Sequence, residues 1–168
     1  MIKLEEQAAP RDVTVGSFLI ATELLSELNL FFKARILIVG ADHDVGFQGL
    51  IINKPINSWN LLPQFHDAKL LEAAHVSFGG PVIHQEMPLV SLTKISFNDQ
   101  HPQVLPGVYF LDQLETLNKI KEIKAGNLSA TDLWFFWGYS GWSWDQLFSE
   151  IDEGLWIDDE GNDKYLQW

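Results

Sequence analysis

The stretch FFWGYSGWSWDQLF, Phe135 to Phe148, holds the arrangement in this chain that most suggests chemistry: a serine beside glycines, between a strand-like run and a helix-like one. A nucleophile elbow sets its serine on a sharp strand-to-helix turn in the pattern G-x-S-x-G. The close approach of strand and helix leaves no room for a side chain at either glycine. Here Gly138, Tyr139, Ser140 and Gly141 run into Trp142, so the second glycine falls one position early and an indole stands in its place. The hydrolase order also requires an acid and then a histidine after the serine, yet His101 is the last histidine of the chain. Ser140 is therefore read as a turn residue rather than a nucleophile.

The other chemical residue types give equally little. His43 stands between Asp42 and Asp44, His84 lies two before Glu86, and His66, His75 and His101 are scattered. None fits H-E-x-x-H or another spaced ligand set, and the absence of cysteine removes thiolate sites, so no metal is expected. GFQGL and FGGPV lack both G-x-G-x-x-G and a following G-K-[ST]; they read as turns, and no cofactor is expected. Five of the seven tryptophans are Trp134, Trp137, Trp142, Trp144 and Trp156, enough to build a stacking platform. Trp134 and Trp137 sit in an apolar strand and read as core, which leaves Trp142 and Trp144 as the expected exposed pair.

The elements that position these residues are legible from pattern. GSFLIA (16–21) reads as a short strand, and TELLSELNLFF as a helix behind a Thr22 cap with Leu24, Leu25, Leu28, Phe31 and Phe32 on one face. RILIVGA is continuous and apolar, the mark of a strand covered on both faces; with GLIINK it forms a hairpin over 35–54, ended by Pro55. NSWNLLPQF reads as a short helix broken near Pro63, while HVSFGGPV, PLVSLTK and GVYFLD supply strands. In DQLETLNKIKEIKAG, Leu114, Leu117, Ile120 and Ile123 recur every third residue, Asp112 and Glu115 make a capping box, and Gly126 stops the helix. DLWFFWG is a strand, SWDQLFSEIDEG a helix capped by Ser143 with Gln146 at N3 and Gly154 at its end, and LWIDD an edge strand. Local hairpins with mixed strand order favour α+β.

A chain of 168 residues with 46% hydrophobic and 20% charged residues is expected to be one domain, 1–168, with an expected flexible segment over 1–14 and an acidic segment over 158–168. Its net charge is -12, with only 11 basic residues, which argues against nucleic-acid binding through phosphate neutralisation. Acid gathers at Asp145, Glu150, Asp152, Glu153, Asp158, Asp159, Glu160 and Asp163; such a run is ordinarily a solvated face, the alternative being a contact for a basic partner. MIKLEEQAAP has no signal-like apolar stretch, and no run reaches membrane-spanning length, so the expected place is the cytoplasm or an organelle interior, away from membranes.

GSFLIA, GLIINKP, FGGPV and GYSGWSWDQLFSEIDEGLW, met in that order from Gly16 to Trp156, resemble the YqgE/AlgH family. The resemblance implies an α+β fold with a mixed, partly barrel-like sheet, helices packed around it, and in some members a larger and a smaller lobe. It implies no agreed active site or cofactor; one bacterial branch carries a label as a regulator of alginate production. The tryptophan density around Gly141 and the loop SFNDQHPQVLPG depart from typical members.

The expected function is a non-catalytic binding or regulatory domain for an unknown protein or small-molecule partner, with a basic partner as one option. One alternative is an enzyme of unassigned chemistry using Asn53, Lys54, Gln146 or Glu150; the other, a transcriptional regulator, is disfavoured by charge. Candidate binding residues are Asn53, Lys54, Gly79, Gly80, Trp142, Trp144 and Gln146. The motifs 53–55, 79–81 and 138–146 are expected to meet, at least two of them side by side, at one edge of the sheet, with Trp142 or Trp144 partly exposed.

Overall fold

Strand β2 (Arg35–Asp42) decides the architecture, because its apolar residues point two ways. Ile36 and Ile38 enter one buried cluster, while Leu37 and Val39 enter another. A strand buried on both faces needs a layer on each side. The computed structural model describes residues 13–62, 65–98, 101–159, 166 and 168. Most of the expected 1–14 and 158–168 segments, and Pro63, lie outside them.

The elements follow as β1 (Phe18–Ala21), β2, β3 (Gly46–Ile51), β4 (His75–Phe78), β5 (Leu89–Thr93), β6 (Gln103–Leu105), β7 (Val108–Leu111), α1 (Gln113–Lys124), β8 (Leu133–Trp137), β9 (Ser140–Trp142), α2 (Trp144–Asp152) and β10 (Trp156–Asp158). They make two five-stranded sheets. The first runs β10-β1-β2-β3-β9 and is antiparallel throughout; the second runs β4-β8-β5-β7-β6, with β4 parallel to β8. The fold is α+β, as expected, but the partly barrel-like sheet is replaced by two separate sheets without closure among the described residues.

Their facing sides share one core: Phe18, Leu37, Val39 and Leu50 of the first meet Val90, Leu92, Trp134 and Phe136 of the second. The alternation continues outward. Leu133 and Phe135 of β8 lie with Ile120 and Ile123 of α1, whereas Phe47 and Ile51 of β3 lie with Leu147 of α2. The order of layers is therefore helix, sheet, sheet, helix.

Both helices carry the capping boxes read from sequence, Asp112 with Glu115 and Ser143 with Gln146. The face of α1 differs from expectation. Thr116, Ile120 and Ile123 are its buried stripe, spaced four and three apart, while Leu114 is 67% exposed and Leu117 half-buried. Thr116 fixes this rotation: its hydroxyl lies 2.8 Å from that of Ser91 on β5 and donates to Leu111 O.

No helix forms over residues 22–33. Four-residue turns close instead, Leu25 N–H to Thr22 O, Asn29 N–H to Ser26 O and Phe32 N–H to Asn29 O. Thr22 is drawn away, its N–H donating to Leu155 O and its hydroxyl to Gly154 O at the end of α2, while Asn29 Oδ1 accepts from Phe31 N–H. Side-chain bonds of that kind compete with a helix, and Phe31 is turned inward against Trp142 and Trp156. Leu24 and Leu28 are left exposed.

Candidate functional site

Two of the three motifs meet. Gly79 N–H donates to Trp137 O, Gly79 O accepts from Ile51 N–H and from the Ser140 hydroxyl, and Val82 exchanges both backbone bonds with Tyr139. The contact is so close that a Cβ on Gly79 would lie 2.2 Å from Gly138 O. Only glycine fits there. Ser140 sits inside β9 rather than in a turn, fully buried, and its hydroxyl is 3.1 Å from Gly79 O. The third motif is adjacent only through backbone, Phe78 N–H donating to Lys54 O.

The polar side chains of these motifs bind the protein itself. Asn53 Oδ1 accepts from Arg35 N–H at 2.8 Å and its Nδ2 donates to Lys33 O at 2.9 Å, so it staples two chain segments. Lys54 Nζ donates to Leu30 O, and burial pushes its ammonium pKa down. Gln146 closes its capping box and donates to Glu150 Oε2. Glu150 Oε1 accepts the indole N–H of both Trp142, at 3.0 Å, and Trp156, at 2.9 Å.

That clamp was missed by reading the acidic run as a solvated face. The available signal was position: Glu150 falls three residues after buried Leu147, on the inner stripe of α2. Asp159 departs from the solvated reading as well, because Arg35 Nη1 donates to its Oδ2 at 2.9 Å. Trp142 also differs from expectation. It is 6% exposed, packed among Phe31, Trp156 and the α2 face; Trp144 is half-buried, stacked on Phe47 at 4.6 Å and tilted against His43 at 5.1 Å.

Beside β9 lies an open groove of about 550 Å³. Gly141 is exposed on its floor, Val45, Val82 and Tyr139 give it apolar walls, and Asp42, Gln48 and Gln146 supply polar groups. Trp142 contributes to the lining, whereas Asn53, Lys54, Gly79, Gly80 and Trp144 do not. The hairpin β2–β3 forms one side. Its bulge between Ile38 and Gly40 bends the strand, and Gly46, at φ +109°, brings the tip to within 2.1 Å (for a hypothetical Cβ) of Trp142 O. At the tip Asp42 Oδ1 accepts from Val45 and Asp44 N–H, which holds the exposed Asp42 carboxyl below its usual pKa.

Two further cavities, of about 740 and 660 Å³, contain none of the seven candidates. Among the described residues no three metal-ligating side chains come together, and no helix is long and apolar enough to cross a membrane.

The AlgH-like family description matches residues 18–166. A UPF0301 protein of Chlorobium chlorochromatii is 30% identical over 154 residues, covering 86% of this chain and 73% of that one. Another, of Bacteroides fragilis, is 31% identical over 157 residues, covering 90% and 74%. The solution structure of the AlgH protein from Pseudomonas aeruginosa superposes with a TM-score of 0.63 at 19% identity, over 90% of this chain and 82% of that one. The crystal structure of a Corynebacterium diphtheriae protein gives 0.59 at 18% identity, over 88% and 76%. At such identities the two structures speak to the fold alone.

Proposed function

This chain belongs to the AlgH-like family, a family of uncharacterised function, and from that premise we propose that it is a non-catalytic binding domain whose ligand-facing surface is the groove beside β9. The observation that carries the reading is the direction of the motif side chains. Asn53, Lys54, Ser140 and Glu150 each bond a backbone or indole group of the protein. A catalytic group must reach substrate, and a nucleophile needs a base within hydrogen-bond range. Ser140 has neither access nor base.

The groove offers what binding needs: a concave surface, apolar walls and a few separated polar groups. Exposed Gly141 leaves the groove backbone approachable, and the β2–β3 hairpin and the capped start of α2 supply the walls. The interior of a cell is the proposed setting, and the net charge of -12 favours a neutral or basic partner over a nucleic acid.

The test is co-purification from native extract with mass spectrometry, comparing the natural chain with Gly141→Leu. Gly141 has an ordinary φ, and an added Cβ meets nothing closer than 3.9 Å, so a side chain there enters the groove without strain. A ligand or partner recovered with the natural chain and lost with Gly141→Leu is the expected result. Equal recovery with both overturns the assignment of the groove.

A further inference from the structure

We infer that the groove takes an extended peptide segment of another protein, carrying lysine or arginine next to an apolar side chain, laid along β9. The inference rests on the reading of the groove as the binding surface and names what fills it.

Backbone geometry is the first support. Among the described residues β9 is the outermost strand of its sheet and pairs with β3 on one side only. Tyr139 directs its N–H and C=O to the other side, where both are taken by Val82. Strand groups two residues apart point the same way, so Gly141 directs its own N–H and C=O to that side as well. There Gly141 is exposed on the groove floor. An extended chain entering the groove meets a donor and an acceptor already aligned for it, the mode of strand addition at a sheet edge.

Charge is the second support. Among the described residues the groove lining contains Asp42 and neither lysine nor arginine. The backbone N–H groups of Asp44 and Val45 donate to Asp42 Oδ1 and favour the ionised carboxylate there. Exposed Asp44 and Asp145 stand next in sequence to lining residues and add the same sign. A cationic side chain is complementary to this rim, and an anionic one is repelled.

Apolar complementarity is the third. Val45 is 84% exposed at the hairpin tip, and half-buried Val82 and Tyr139 also line the groove. An extended peptide projects alternate side chains to opposite sides. With one set turned to Asp42 and Val45 at the hairpin tip, the other is free to cover Val82 and Tyr139.

The probes are acetyl-Val-Lys-Val-Lys-Val-amide, its Val-Glu counterpart, and the Lys peptide N-methylated at the central residue, each titrated into the ¹⁵N-labelled full chain. The Lys peptide is expected to shift the amides of Val45, Gln48 and Gly141 saturably. Asp42→Asn should weaken it by about fivefold, and raising salt from about 0.02 to about 0.5 M should remove that difference. The N-methylated and Glu peptides should leave those amides unmoved. Equal shifts from the Lys and Glu peptides, undiminished binding of the N-methylated one, or no shift from any of them overturns the inference. Where Gly141→Leu abolishes capture of a native ligand but no Lys peptide moves the groove amides, the peptide inference falls and the binding reading stands.

Discussion

Glu150 carries two indole N–H groups on one oxygen and a glutamine amide on the other, at the point where β9, α2 and β10 meet. Removing it strands Trp142 and Trp156, both nearly buried, without an acceptor. Glu150→Ala is expected to lower unfolding free energy by about 2–4 kcal/mol, read from urea melts, because buried donors lose a charged partner. Glu150→Gln, which keeps a carbonyl in place, should cost less. Ser140→Ala should cost about 1 kcal/mol through the lost bond to Gly79 O. It should leave any binding unchanged. That Ser140 lacks the G-x-S-x-G setting and a following histidine was legible in sequence, since a misplaced glycine and a missing histidine are local facts. Glu150 was not, because a carboxylate among carboxylates looks solvated until the fold brings two indoles to it.

At the scale of elements, whatever depends on neighbours in sequence was legible and whatever depends on distant contacts was not. The β2–β3 hairpin and both capping boxes follow from residues a few positions apart. Residues 22–33 have a helical period, but the end of α2 captures Thr22 and breaks it. The face of α1 was set by Ser91 on another strand. Ile120→Ala is accordingly expected to cost about 2–5 kcal/mol, against under about 0.5 kcal/mol for Leu114→Ala, both by denaturant melts. The N-terminus of α1 also predicts a pH dependence. Burial raises the Glu115 pKa, but the hydrogen bonds from His101 and from Asp112 N–H outweigh it and leave the carboxyl below its ordinary value. A carboxylate held low adds stability that is complete above the ordinary value near about 4.3 and is lost as pH falls through the folded value. Melting temperatures should therefore drop below about pH 4.3, and Glu115→Gln, which preserves the capping box, should flatten that drop. An unchanged acid slope in the variant would remove Glu115 from the account.

For the molecule as a whole, burial of β2 on both faces was visible in RILIVGA, and the family motifs carried the α+β class. Two sheets rather than a barrel-like one could not be read, because strand order joins β10 to β1 and β9 to β3, pairings between residues far apart in sequence. The same long-range packing sorts the motif residues into those that hold the layers together and those that face the groove. Asn53 ties the end of β3 to the start of β2, while Gly141 opens on the groove. The most direct test compares ligand capture from native extract by the natural chain, Asn53→Ala and Gly141→Leu, with the folded fraction of each fixed by near-ultraviolet circular dichroism. The account predicts that Asn53→Ala captures in proportion to its folded fraction and that fully folded Gly141→Leu captures nothing. Loss of capture by folded Asn53→Ala, with Gly141→Leu capturing as the natural chain does, would contradict it.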